Sequence, residues 1–410
     1  MLIAWAAGSL LVLGRLAWKQ GFNADTLGYI PVLAVLGVMI GVVLPALSEE
    51  QGLPIRGYGV MLLVAFVSGV SLAVWRARRM GLDTEIIFSL AFWVFIAGIV
   101  GARLFYVIEY WEKFKQDTVW KTLVEVVKVT EGGLVVYGSA IGVGVALLLF
   151  VRRHKLPGLA LADLIAPSTM LGLALGRLGC FLNGCCFGDV CHLPWAVQFP
   201  WQSPPHVRQI ERGQIYLHGL QLPGTAGQAA VVEKVEPGSP AERAGVKAGE
   251  RIVRVAGGGV DERVTNVEEA QAALLSIHVP GDPITIFTGN DQASKTWMVE
   301  RPLGRSLPVH PAQLYSAIDA GLLCLFLLAY YPYRRRDGEV FALLITIHPV
   351  SRFLLEVIRT DETAVFGTGL SISQNVSLLM LAAAAGLWVW LLRRPRGSAW
   401  PVQVTAAARV

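Results

Sequence analysis

The sequence predicts an α-helical polytopic membrane protein with one small α+β domain inserted between two of its spans. Three observations predict it. Hydrophobic residues make up 54% of the 410 and charged residues only 16%, with a mean hydropathy of +0.53. That is too apolar and too weakly charged for an ordinary soluble domain. Apolar stretches near the roughly 20 residues that cross a bilayer as helix recur along the chain. One long interval breaks this pattern, turning near Gly224 into short strand and helix signals.

Taken in order, the apolar segments are Leu2–Trp18, Leu27–Leu47, Gly57–Trp75, Ile86–Ile108, Gly133–Val151, Leu159–Leu182, Leu314–Tyr331, Val340–Ile358 and Ile372–Leu392. This makes about nine transmembrane helices, the first being the shortest and interrupted by Arg15. The N-terminus lacks a basic n-region and a small-residue cleavage site, so it reads as retained. Basic clusters follow the third segment (Arg76, Arg78, Arg79), the fifth (Arg152, Arg153, Lys155), the seventh (Arg334, Arg335, Arg336) and the ninth (Arg393, Arg394, Arg396). Every second exit is therefore basic, which places those exits and the C-terminus in the cytoplasm. The net charge of +5 sits in these clusters and reports topology, not a nucleic-acid partner.

The same reasoning puts the long Phe187–Pro308 interval on the extracytoplasmic side. From Ala229 the pattern is strand, turn, short helix and strand, followed by a helix at Val267–Ile277 behind the N-cap Asn266 and strands at Pro283–Thr288 and Thr296–Glu300. The run E-P-G-S-P-A-x-x-A-G-V-x-x-G-E-R-I-V resembles bacterial PDZ domains over Thr225–Leu303. That resemblance implies a groove for an extended peptide added as a strand, with a carboxylate loop before the first strand at Ala226–Gln228. The stretch there departs from the usual Gly-Leu-Gly type.

Polar residues interrupt the spans near their outward ends. Gly176–Gly188 reads G-R-L-G-C-F-L-N-G-C-C-F-G, placing Arg177, Asn183 and Gly188 where a helix leaves the bilayer. An arginine at membrane depth is costly unless it meets an anion or water, so it marks function by default. The alternative is a small-residue packing face with a snorkelling arginine. Tyr58 lies in R-G-Y-G-V-M, and Glu131, Tyr137 and Gly138 in E-G-G-L-V-V-Y-G-S. His310, Gln313 and Tyr315 lie in H-P-A-Q-L-Y, and Arg352, Glu356 and Arg359 in S-R-F-L-L-E-V-I-R. Arg352 and Glu356 share a helix face, so a local ion pair is one reading. The other is that Arg177 and Arg352 jointly hold a lipid phosphate, which guanidinium grips bidentately.

These blocks, with D-L-I-A-P-S-T-M-L-G-L-A-L-G-R-L-G-C-F-L-N-G-C-C-F-G and S-Q-N-V-S-L, resemble the prolipoprotein diacylglyceryl transferase family in order over Ile55–Arg394, the PDZ-like insertion excepted. The implied layout is extra N-terminal spans at 1–54, a seven-span transferase core at 55–224 and 304–394, the PDZ-like domain at 225–303 and a tail at 395–410. The resemblance implies a bacterial inner-membrane enzyme that moves a diacylglyceryl group from phosphatidylglycerol to the lipobox cysteine of a prolipoprotein. It implies Arg177, Arg352, Tyr137 and Tyr58 as catalytic, Asn183, Gly138, Gly188, Glu356 and His310 as substrate-binding, and no cofactor. Tyr137 stands where many members have a histidine base followed by two glycines, whereas here Gly138 is followed by Ser139. Cys180 replaces a common asparagine and Cys185 a glutamate.

Cys180, Cys185, Cys186 and Cys191 read as disulfides or as buried thiols; C-x4-C-C-x4-C-H lacks the usual zinc spacing, so no metal is assigned. Cys324 reads as packing. Two other functions fit parts of the pattern: a degenerate lipid-binding scaffold whose inserted domain recruits partners, and an intramembrane protease. The chain has no H-E-x-x-H for the protease.

Overall fold

The computed structural model describes residues 8–9, 14–15, 57–115, 118–127, 133, 135–224, 227–289, 293–300, 304–359, 365 and 367–400. The chain divides into two compact units, Met1–Val60 and Met61–Val410. Of the expected span Leu2–Trp18 only residues 8–9 and 14–15 are described, and the expected span Leu27–Leu47 and Glu131 lie outside the described residues.

Among the described residues, seven helices are long and apolar enough to cross a membrane. In chain order the helices are α1 (Gly57–Arg79), α2 (Thr84–Glu109), the short α3 (Trp111–Phe114) and α4 (Val119–Val127), α5 (Val136–Arg153) and α6 (Gly158–Asn183). The chain then leaves the bundle and returns as α10 (Ala312–Tyr330), α11 (Glu339–Ile358) and α12 (Ile372–Leu392). Apolar side chains such as Leu63, Phe92, Leu325 and Leu379 face outward, as lipid-facing surface requires. The protein is a multi-pass membrane protein.

α6 and α10 form the centre, with α11 against both. α6 contains Pro167, which has no N–H for the carbonyl of Asp163 one turn earlier. Arg76 of α1 donates to that carbonyl (3.4 Å) and to the carbonyl of Leu164. At the same end, the fully buried Asp163 carboxylate accepts the backbone N–H groups of Gly338 (2.7 Å) and Phe341 (2.8 Å), capping α11 from a neighbouring helix. Arg334 lies 3.7 Å from the same carboxylate. The Tyr331 ring is held between the Arg76 and Arg334 guanidiniums, at 4.1 and 3.8 Å.

α2 and α5 pack through glycine. A methyl group on Gly138 would lie 2.4 Å from the Gly101 carbonyl oxygen, and one on Gly142 2.2 Å from that of Ala97. Only residues without a Cβ allow this approach, the small-residue packing of membrane helices. Arg103 of α2 donates to the carbonyls of Val126 (2.8 Å), Glu125 (2.8 Å) and Gly133 (3.2 Å).

Between α6 and α10 the described residues form another hydrophobic core, running from Val207 to Val299 and away from the spans. It holds α7 (Pro204–Glu211), β1 (Leu220–Gln221), β2 (Lys234–Val235), α8 (Pro240–Arg243), β3 (Ile252–Gly257), β4 (Val260–Arg263), α9 (Val267–Ser276), β5 (Pro283–Thr288) and β6 (Ala293–Met298). The main sheet has strand order β4-β3-β5-β6, all antiparallel, and β1 pairs with β2. The alternation in P-I-T-I-F-T buries Ile284 and Ile286 against α9 and Val255, as period-two strands do. Asn266 caps α9 by accepting the Glu269 N–H, as the sequence predicts. Ile210, Leu217, Leu220 and Leu222, all upstream of Thr225, belong to the same core. The strand at Leu220–Gln221 lies ahead of the first strand in the sequence pattern, which begins at Ala229. Its free side is engaged: Gln271 of α9 donates to the Leu222 carbonyl (2.6 Å), and the Leu217 and Leu220 backbones bond to each other.

The chain enters and leaves this region through paired segments. Val197 and Val309 exchange backbone hydrogen bonds (3.1 and 3.0 Å), Cys191 donates to the Pro308 carbonyl (2.9 Å), and Phe199 pairs with Ser306. Burial holds the His206 and His218 rings below the ordinary histidine pKa. The unfolded chain then takes up protons below about pH 6.5 that the native fold does not, so stability is full above that pH and falls below it. Thermal unfolding of the whole protein between about pH 8 and 5 should show this loss, and His218→Gln should lessen it.

Candidate active site

The far end of α6 terminates in Gly184, whose left-handed backbone (φ 73°) lets the Gly184 and Cys185 N–H groups close on the Phe181 and Cys180 carbonyls (3.1 and 3.2 Å). The chain then turns back over the helix ends. Gly188 donates to the His310 carbonyl (2.9 Å), and Asp189 donates to the Ile358 carbonyl (3.0 Å). A methyl group on Gly188 would sit 2.7 Å from His310 Cβ and 3.1 Å from the Ile358 oxygen. Three stretches far apart in sequence meet here, around Gly188, His310 and Arg359. Gln313, buried in α10, donates to the Cys185 carbonyl (2.7 Å) and ties the same turn to a third helix. Tyr315 accepts from Trp195 Nε1 (2.7 Å) and lies 3.4 Å from His310 Nδ1.

Both arginines stand at this end, and a simple count explains why. Arg177 is fourteen residues beyond Asp163, and Arg352 is fourteen beyond Gly338. At about 1.5 Å per residue, both are carried ~21 Å from the Asp163–Gly338 contact on helices that start side by side. Their charges converge on one ring: those of Arg177, Arg352 and Asp319 all reach His348.

The two arginines differ in their partners. Arg352 pairs with the buried Glu356 carboxylate and donates to Ser373 Oγ of α12 (2.8 Å), so the ion pair that the spacing allowed is present. Arg359 donates to the same Glu356 oxygen (3.3 Å). Among the described residues, the half-buried Arg177 guanidinium makes no hydrogen bond or ion pair. Asn183, the exposed last residue of α6, lies beside the Cys185 thiol. The Sγ atoms of Cys180, Cys185 and Cys186 lie within 4.8 Å of one another as free thiols, and Cys191 and Cys324 are buried free thiols. Hydrogen bonds from Cys180 and Cys185 hold the Cys186 thiol below its ordinary pKa, with the Arg359 and Arg177 charges adding to the effect.

Tyr137 is exposed in the first turn of α5, and Gly138 beside it is committed to the crossing with α2. A groove of about 1110 Å³ runs along that helix pair, lined by Trp93, Leu104, Phe105, Gly138, Ile141 and Leu149 among others. Tyr58 stands in the first turn of α1 and belongs to the first unit. Two polar residues that the sequence reading passed over, Asp319 and His348, also stand inside apolar helices near the arginines. The signal that drew attention to Arg177, a polar residue interrupting an apolar run, applied to them as well.

Residues 45–390 match the family model described as prolipoprotein diacylglyceryl transferase. The chain belongs to the prolipoprotein diacylglyceryl transferase family. A relative from Rhodopirellula baltica is 36% identical over 93% of this chain and 84% of its own length. Others come from Trichormus variabilis, 34% identical over 41% of this chain and 58% of the relative, and from Paraburkholderia xenovorans, 26% identical over 87% and 95%. All three are named phosphatidylglycerol–prolipoprotein diacylglyceryl transferase.

The tight seat of one glycine in the family motif and the open seat of another make a direct comparison. Gly188→Ala should lower stability by about 1–3 kcal/mol through overpacking against His310. A methyl group on Gly176 meets nothing within 4 Å, so Gly176→Ala should keep or raise stability. Thermal unfolding in detergent checks both.

Proposed function

We propose that this protein transfers a diacylglyceryl group from phosphatidylglycerol to the lipobox cysteine thiol of prolipoproteins. The thiol sulfur attacks the glyceryl carbon next to the phosphate. A thioether C–S bond forms, the C–O bond breaks, and glycerol phosphate leaves with the electron pair. Family membership supports the reaction; one observation supports the site. Arg177 stands in the last two turns of an apolar helix with no protein partner among the described residues, while Arg352 stands at the same height with Glu356 steadying its fork. A guanidinium so placed is suited to a phosphodiester, because positive charge aimed at the departing oxygens lowers the barrier.

In this reading Arg177 and Arg352 hold the phosphate, while Tyr137 and Tyr58 donate hydrogen bonds to the substrates. Asn183 and His310 line the headgroup end. Gly188 and Gly138 act by letting backbone approach closely, and Glu356 orients Arg352. The apolar groove along α2 and α5 has a lining suited to acyl chains. The enzyme belongs in the bacterial inner membrane with its C-terminus cytoplasmic, because Arg76, Arg334, Arg336 and Arg394 gather at the Asp163 end. The inserted domain is then extracytoplasmic. We read it as PDZ-like, and the Gln271–Leu222 bond across its strand edge favours a role in orienting precursors over strand addition of a peptide.

Arg177→Lys, which keeps the charge but loses the fork, should abolish most thiol-dependent release of glycerol phosphate from phosphatidylglycerol; full activity would remove Arg177 from the mechanism. Replacing residues 201–304 by a short turn joining Pro200 to Arg305 should leave a short lipobox peptide reactive and slow the processing of full precursors. Equal loss on both substrates would rule out the orienting role.

A further inference from the structure

The proposed reaction requires the substrate thiol to give up its proton. A thiol with a pKa near 8.5 is only a few per cent ionised at neutrality. Tyrosine, the residue type at position 137, is a poor proton acceptor there. Another group has the chemistry and the position. His348 lies four residues before Arg352, one turn along the same face of α11. Among the described residues, its Nδ1 is enclosed by protein and has no hydrogen-bond partner. A buried polar atom without a partner is costly, and one beside a functional site calls for an explanation.

The surroundings of the ring supply one. Pro349 follows it and cannot donate to the Ile345 carbonyl, so α11 loses a helical bond at the turn that carries the histidine. Three elements bring charge to the ring: Arg177 from α6, Arg352 from its own helix and Asp319 from α10. Asp319 is fixed by the Ser351 hydroxyl, which donates to its carboxylate (2.8 Å) and lies 3.1 Å from the His348 carbonyl. Two guanidiniums alone would oppose an imidazolium. A bound phosphodiester offsets one of them, and Asp319 faces the charge that appears on the ring.

We propose that His348 is the general base of this site, an inference that rests on the transferase reading above. As the lipobox sulfur bonds to the glyceryl carbon, its proton moves to the imidazole. The C–O electron pair leaves on the phosphate, whose second pKa is near 6. The imidazolium then returns the proton to the departing phosphate or to water, and the ring is neutral for the next turnover. No oxidant, metal or further reactant is needed.

The test uses the full-length protein in phosphatidylglycerol vesicles with a lipobox peptide, measuring release of glycerol phosphate from about pH 5.5 to 9.5. The wild type should show an acid limb in the imidazole range. His348→Gln and His348→Asn should lose about 10²-fold in kcat at neutral pH with KM for phosphatidylglycerol little changed. That deficit should shrink above about pH 8.5, where the thiol ionises unaided. Wild-type rates in a variant, a deficit confined to KM, or a deficit of equal size at every pH would each overturn the assignment. A flat wild-type profile between about pH 5.5 and 7.5 would overturn it too, even if neither variant folds. A wild type that releases no glycerol phosphate sinks the transferase reading along with it, whereas an active wild type with active variants removes His348 alone.

Discussion

The Asp163 carboxylate is the fixed point of the bundle. It is fully buried, and each of its oxygens accepts a backbone N–H at the start of α11. A carboxylate in that position is stabilised by the helix dipole and by unsatisfied N–H groups, and Arg334 balances its charge. Placing this charge in an apolar interior without those partners would cost several kcal/mol. The contact therefore fixes where α11 starts relative to α6. Equal chain lengths from that start do the rest, delivering an arginine on each helix to the same level.

At that level the two guanidiniums are held differently. Arg352 is braced by Glu356 and Ser373, with Arg359 sharing the same carboxylate. A braced fork keeps its direction whether or not a ligand is present, which is the preorganisation that charge stabilisation needs. Arg177 has no such brace among the described residues, and its charge extends to Cys186 and His348. One arginine is set like a wall and the other is left to meet what arrives.

Much of this was legible in the sequence, for identifiable reasons. The seven described spans follow from length and hydropathy, because lipid permits few other ways of satisfying the backbone. Arg177, Gly188, His310 and Arg359 could be named as important from their motifs, but their meeting around one turn depends on backbone pairing that leaves no periodic signal. The Arg352–Glu356 pair was readable from its spacing; the sharing of Glu356 with Arg359 was not. The strand at Leu220 was missed because two residues carry no alternation, and only the burial of Leu217, Leu220 and Leu222 reveals it. His348 was passed over since a single histidine in an apolar run looks like packing until its neighbours are known.

The pairing of Val197 with Val309 has an evolutionary reading. A segment whose two ends are stitched side by side presents the spans with the same short gap whatever its contents. About a hundred residues can then be gained, lost or exchanged at that point without altering the distance between α6 and α10. The membrane machinery and its appendage are free to diverge at different rates, with the stitch as the seam between them.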